Sequence, residues 1–289
     1  MRKIYVFIIC LSFVLAAEAK DALFDSSILK LEFEDRVIKT ADFFINREVS
    51  LDPLGEGFGL DPDPLISTTK FDCTTFVEVV LAISLSKNED SIIQNLNQIR
   101  YKDGKVSYYN RNHFMVSDWI PENIKTGLIS PDLMNNVFPK EALKRGRRRL
   151  NKTTWFFHRV IDLLDKKGKG PKEIIAALDE VPESNGRKEE TNFLRANYFR
   201  DNTGKMYTML PKVSVIMFIR NMPNIPTLVT HMGLLVKEDA KLNLYHAPRR
   251  RPWRVSKELL EDYFKEMDQH RAPIQGLLLY KINSPKSNL

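Results

Sequence analysis

Three side chains have the types that nucleophilic cleavage of an acyl bond requires: Cys73, His231 and His246. A thiol attacks a carbonyl well only when a base takes its proton, and the base works best when a third group orients it. Cys73 lies between the polar approach Lys70-Phe71-Asp72 and the apolar run Val77–Leu85. Phe76, Val79, Val80 and Ile83 recur there at helical spacing, which predicts a mostly buried helix. Asp72, Thr74 and Thr75 are good residues for its N-terminus. Cys73 then falls in or just before the first turn, where free N–H groups and the positive end of the dipole favour a thiolate. Taken alone, a free cysteine is more often a small buried hydrophobe. His231 and His246 fall in Val229–Val236 and Leu242–Ala247, which read as consecutive strands. In an antiparallel pair they stand opposite or diagonal on one face, within ring contact. If that face meets the cysteine helix, the three form a line. Cys73 attacks, and His231 forms a thiolate–imidazolium pair and later protonates the leaving amine. His246 accepts the Nδ1–H of His231, and Gly233 leaves room for a backbone approach. Each strand histidine, taken singly, also reads as an ordinary core or edge residue, and spacing alone leaves the two accounts even.

The first residues bear on why the thiol is there. Arg2 and Lys3 precede an apolar run from Ile4 to Ala16 and then Ala17-Glu18-Ala19. This is the pattern of a secretory signal peptide, residues 1–19, with cleavage after Ala19 and a periplasmic or secreted product. The run is short for a membrane span, and Cys10 lacks the small residues of a lipoprotein site, so no stable membrane anchor is expected. Cleavage leaves Cys73 as the only cysteine, so no internal disulfide can form. An unpaired thiol in an oxidising compartment calls for a reason, and chemistry is the obvious one. A lone cysteine also excludes cysteine-rich zinc sites. The formal charge of +7 suits an anionic polymer or surface and does not by itself indicate nucleic acid.

Stepping along the chain, Glu32–Arg47 reads as an amphipathic helix. Leu51–Pro64, rich in Gly, Asp and Pro, reads as a loop forming one wall of a cleft, with carboxylates too few and badly spaced for calcium. Asp90–Ile99, Thr154–Lys167 and Pro171–Leu178 read as helices. So does Ser256–Met267, with Ser256 as N-cap. Lys144–Arg149 is a basic run whose plainest reading is a solvated turn. Tyr101–Asn123 mixes aromatics with Arg, Asn and His, as a binding surface or an ordinary packed connection would. Val213–Ile219, Val229–Val236, Leu242–Ala247 and Gly276–Ile282 read as strands of an antiparallel meander. Helices come first and strands follow, so the class is α+β.

Asp72-Cys73 opening an apolar helix, His231-Met232-Gly233-Leu234-Leu235 on one strand and Tyr245-His246-Ala247-Pro248 on the next resemble the NlpC-type papain-like cysteine peptidases of bacterial cell walls. The match covers residues 71–85 and 213–248. The wider pattern resembles the exported N-acetylmuramoyl-L-alanine amidase-like branch. It includes the Gly/Asp/Pro loop, Phe71–Glu78, Arg111-Asn112-His113-Phe114, Asp118-Trp119-Ile120 and Thr230–Gly233. Thr74-Thr75 departs from the serine–glycine usual after the cysteine, and His113 has no counterpart in a minimal domain. The resemblance implies an NlpC-type core with helical additions. Residues 20–289 would form one catalytic domain with a helical insertion at about 120–205. It further implies a Cys73-His231-His246 triad, a thioester intermediate, and cleavage between the lactyl group of N-acetylmuramic acid and L-alanine in peptidoglycan or muropeptides. The wider family more often cuts between γ-D-glutamate and the diamino acid. The Cys73 N–H is the implied oxyanion donor. Tyr108, Arg111, His113, Trp119 and Asp72 are candidate substrate contacts, and Arg249-Arg250-Arg251 could meet muropeptide carboxylates or be solvated surface. No cofactor, metal or nucleic acid is expected, and the protein is expected to be a monomer. Competing readings are a papain-like acyltransferase or protein peptidase, a wall-binding module with a decayed triad, and a metal hydrolase using His113, His231 and His246.

Overall fold

The computed structural model describes residues 25–54, 66–166, 168–183, 188–222 and 225–285. The expected signal peptide, residues 1–19, lies outside them. So do residues 55–64 of the expected Gly/Asp/Pro loop and part of the polar break at 181–188.

The first helix, α1 (Phe33–Phe43), buries Phe33, Val37, Thr40 and Ala41 on one face. It stops short of Arg47 because Asn46 turns left-handed, with φ 70°. The chain then enters β1 (Glu48–Val49), which pairs in parallel with β2 (Lys70–Phe71). The cysteine helix follows as α2 (Cys73–Leu85). Its residues from Thr75 to Ser84 are all buried, because it lies between α1, α3 (Asp90–Arg100) and the sheet. Ser84 and Ser86 are tolerated there because their hydroxyls donate to the carbonyls of Val80 and Ala82, each at 2.7 Å.

A buried ion pair fastens α2 to α3. Arg100 Nε donates to Glu78 Oε2 at 2.7 Å, and the two side chains are 0% and 2% exposed. Burial raises the Glu78 carboxyl above its ordinary value, and the adjacent Arg100 opposes that rise. Such a pair adds little net stability over apolar packing, but breaking it leaves a buried charge.

Beyond α3 the chain forms α4 (Ile120–Lys125), β3 (Ile129–Ser130), β4 (Leu143–Arg149), α5 (Lys152–Lys166) and α6 (Pro171–Asp179). Next come β5 (Lys188–Arg195), α7 (Ala196–Asp201) and α8 (Thr203–Met209). The C-terminal part holds β6 (Val213–Arg220), β7 (Val229–Glu238), β8 (Lys241–His246), β9 (Ser256–Leu259), α9 (Leu260–Asp268) and β10 (Ile274–Ile282). The main sheet is antiparallel, in the order β4-β5-β10-β6-β7-β8-β9, with β3 also paired to β10. One hydrophobic core joins α2 to the central strands, and a smaller one gathers Tyr108, Phe156, Val160 and Leu163.

The helices and the antiparallel sheet expected from the sequence are both present. Two local readings are corrected. Lys144–Arg149 is not a turn but most of edge strand β4, paired with β5, and the segment read as a helical insertion thus also supplies three strands, β3, β4 and β5. Lys144, Arg145, Arg147 and Arg149 are exposed along it, and Glu190 on β5 pairs with Arg145, Arg147 and Lys188. Ser256 is no N-cap: Ser256–Leu259 pair with Asn243–His246, and the helix starts at Leu260. Strand pairing there overrides a sequence periodicity that suits a helix.

Replacing Arg100 with Met removes one partner of the buried pair and is expected to cost about 3–5 kcal/mol, read from urea unfolding. A loss below roughly 1 kcal/mol, the scale of an ordinary hydrogen bond, would show that Glu78 does not depend on Arg100.

Candidate active site

The site begins with a helix start. Asp72 is the N-cap of α2, its Oδ1 accepting from Thr75 N at 2.7 Å, while Thr75 Oγ1 accepts from Asp72 N at 2.9 Å. This reciprocal capping box fixes the first turn and sets Cys73 as its first helical residue. Cys73 is half-buried, with its sulfur in reach of the Met232 N–H on β7. It opens on a cleft of about 130 Å³ whose walls include Thr74, His113, Met115, Thr230 and His231. A larger apolar groove of about 490 Å³, between α7, α8 and α9, contains none of these residues.

His231 reaches the cleft because β7 carries an extra residue. Phe218 pairs with His231 and Ile219 with Val229, leaving Thr230 as a bulge beside the histidine. Bulges of this kind re-aim the neighbouring side chain. His246 ends β8 and is fully buried. His231 Nε2 and His246 Nδ1 are 2.7 Å apart, and the two rings meet edge to face with centroids 5.0 Å apart. Gly233 makes this approach possible: a Cβ there would lie 2.6 Å from the Tyr245 carbonyl oxygen and 3.0 Å from the His246 Cβ. Behind the pair, His246 Nε2 is 2.5 Å from Glu258 Oε1 on β9. Arg250 donates to the same Glu258 oxygen at 2.5 Å and pairs with Glu266 at 3.2 Å. The Tyr263 ring packs on both imidazoles, at 5.9 Å from His231 and 5.1 Å from His246.

The structure therefore brings Cys73, His231 and His246 together, with two corrections. His231 uses Nε2, not Nδ1, toward His246, which leaves Nδ1 as the nitrogen free for the thiol. The thiol is not acidified at rest. Burial and then the Asp72 carboxylate push it up to about 11, outweighing Arg249, the Met232 N–H and Thr74. Burial also drives His231 well below the ordinary histidine value, with His246 and Arg249, Arg250 and Arg220 acting the same way. His246 is lowered too, since burial outweighs Glu258. The resting pair is a neutral thiol beside a neutral imidazole.

The expected substrate contacts are more scattered. His113 lines the cleft; its Nε2–H donates to the Tyr108 carbonyl at 2.8 Å, and burial, then Arg111, lowers it to about 3. Arg111 lies in a neighbouring polar cavity of about 420 Å³ with Asp118 and Lys152, which are themselves ion-paired. Tyr108 is buried in the smaller core with its ring 4.8 Å from His113, so it supports that histidine and lies inside the protein. Trp119 is fully buried in the main core and offers no surface for a ligand. Asp72 is spent on the helix cap. Glu258 escaped the sequence reading because Ser256–Met267 read as one helix, and Tyr263, on the helical part, read only as part of its apolar face. Ser256-Lys257-Glu258-Leu259 carries no apolar alternation that would have signalled the strand. Among the described residues, no group of three or more His, Cys, Asp or Glu converges to hold a metal ion.

Among the solved structures that share the fold, two are similar over most of this chain. A Legionella pneumophila protein described as belonging to family DUF1460 aligns over 94% of this chain and 96% of its own, with a TM-score of 0.78 and 21% identity. An N-acetylmuramoyl-L-alanine amidase from Bacteroides uniformis aligns over 87% of this chain and 99% of its own, with a TM-score of 0.61 and 21% identity. Among curated proteins, none matches the chain. At 21% identity these structural likenesses show a shared fold. The chain belongs to the N-acetylmuramoyl-L-alanine amidase-like family, whose model matches residues 39–270.

Two measurements check the site. Alkylation of Cys73 by iodoacetamide should be slow at neutral pH and rise about tenfold per pH unit up to about pH 10, because only the thiolate reacts. A plateau reached in the acidic range would mean a preformed thiolate–imidazolium pair. Gly233→Ala should lower stability by about 1–3 kcal/mol in thermal unfolding, since neither backbone nor imidazole can yield freely. An unchanged melting temperature would show that the strands have slack there.

Proposed function

We propose that this protein is an exported cysteine amidase that hydrolyses the bond between N-acetylmuramic acid and L-alanine in peptidoglycan or muropeptides. In this reading residues 20–289 form one catalytic unit on a papain-like, NlpC-type core, acting as a monomer in the periplasm or outside the cell. The observation that carries it is the 2.7 Å contact between His231 and His246, directly behind the cleft that holds Cys73. Membership of the amidase-like family supports the bond type.

The reaction follows from the resting neutral pair. As the Cys73 sulfur attacks the lactyl carbonyl carbon, its proton passes to His231 Nδ1. The positive charge formed there is stabilised by the relay behind it. The carbonyl oxygen becomes an oxyanion, for which the Cys73 backbone N–H at the start of α2 is the available donor. Collapse breaks the C–N bond, and the alanine nitrogen leaves with the proton from His231. Water then attacks the lactyl thioester, again losing its proton to His231, and frees the carboxylate and the thiol. A cleft of about 130 Å³ admits the scissile amide and its nearest substituents. Ligand pockets are usually larger, so most of the sugar and stem peptide must lie across the outer surface.

Incubating the protein without residues 1–19 with defined muropeptides, and identifying the products by mass, tests this. Free stem peptide beginning with L-alanine is expected. Cys73→Ala should abolish its release, a loss of at least about 10⁴-fold. Release of a peptide that begins with the diamino acid, leaving N-acetylmuramoyl-L-alanyl-D-glutamate, would instead move the cut to the γ-D-glutamyl bond. Unchanged products from the variant would remove Cys73 from the chemistry.

A further inference from the structure

We propose that Glu258 is a positioning residue that sets the tautomers of both imidazoles, and so decides that the nitrogen of His231 facing the thiol is a base. The proposal rests on the cysteine-amidase reading for its kinetic consequence, but its structural claim stands on hydrogen-bond polarity alone.

A carboxylate can only accept. Glu258 is ionised: burial works to raise its carboxyl, but His246 and Arg250 together hold it below the usual glutamate value. Glu258 Oε1 lies 2.5 Å from His246 Nε2, so that nitrogen must carry a proton. A neutral His246 then has a bare Nδ1, which must accept. Its partner at 2.7 Å, His231 Nε2, must therefore donate. A neutral His231 protonated at Nε2 has a bare Nδ1, the only ring nitrogen left for Cys73. One carboxylate thus propagates a single polarity through two rings to the cleft.

Register supplies the geometry. Leu244 pairs with Glu258 and His246 with Ser256, so His246 and Glu258 are diagonal neighbours on one face of the β8–β9 pair. Arg250 donates to that same Glu258 oxygen, so a single atom accepts from both side chains. The charged or titratable groups around the relay come from every neighbouring element. They are Cys73 from α2, Arg220 from β6, Arg249 and Arg250 after β8, Glu258 from β9, and Tyr263 and Glu266 from α9. Among them, Glu258 alone is an acceptor at hydrogen-bond distance from His246 on its far side.

Two variants separate the roles. Glu258→Met fills the same space but offers no acceptor, so nothing holds the His246 Nε2 proton and the two tautomers of each ring mix. Turnover of muropeptide amide is expected to fall at least about tenfold in kcat with KM nearly unchanged, since His231 is then often protonated at Nδ1 and cannot take the thiol's proton. Glu258→Gln keeps an oxygen that can accept from both His246 and Arg250, as Glu258 Oε1 does, and most of the kcat should be retained. A contact that only fills space predicts that the two variants behave alike.

The tautomers can be read without any substrate. Long-range ¹H–¹⁵N correlation on histidine-labelled protein should show His231 and His246 both protonated at Nε2 and bare at Nδ1, and Glu258→Met should leave both rings with mixed tautomers. Nδ1 protonation of His231 in the unaltered protein, or an unchanged pattern in the variant, would overturn the proposal. The expected spectra in a protein that releases no stem peptide would uphold the tautomer control and reject the amidase reading.

Discussion

A 2.7 Å contact between imidazoles on adjacent strands is the constraint from which the site follows. For His231 to meet His246, β7 and β8 must pass each other where β7 has no side chain, and Gly233 supplies that place. For His231 to face the cleft as well, β7 must bulge at Thr230. For the thiol to wait there, α2 must start against β7, which the Asp72–Thr75 capping box arranges. Each device is local and made of a few residues, and none would be useful without the others.

Much of this was legible in the chain. Cys73 at a helix start and the two histidines on consecutive strands were readable because they depend on short patterns: an N-cap before an apolar period, and β-branched runs around a histidine. Four strands, β6, β7, β8 and β10, were readable for the same reason. What failed was decided by pairing across long separations. Arg145 and Arg147 look like a solvated run until Glu190, more than forty residues away, draws them into a strand pair. Glu258 looks helical until Leu244 pairs with it. The thiol's acidity was misjudged because the helix start was visible in the sequence, whereas the burial of the sulfur and the aim of the Asp72 carboxylate were not. Trp119 suits a substrate contact by type, but the core claims it.

The electrostatics of the site share one cause. Burial pushes the thiol up and both imidazoles down, so charge is absent from the cleft at rest and Glu258 with Arg250 holds it behind the second ring. A buried site that separates charge only during reaction avoids the cost of storing a desolvated ion pair. His113 follows the same rule, neutral and hydrogen-bonded through one nitrogen while its ring packs among Tyr108, Trp155 and Phe156.

The arginine-rich strand at the margin of the main sheet has a consequence of its own. Among the described residues β4 is the last strand on its side, so its outer backbone groups lack a neighbouring strand there. An unguarded margin invites another chain to extend the sheet and seed aggregates. Here an incoming identical strand would set Lys144, Arg145, Arg147, Arg148 and Arg149 against their own copies, a clash of like charges at close range. Such a row of like charges disfavours edge-to-edge pairing of two copies through this strand.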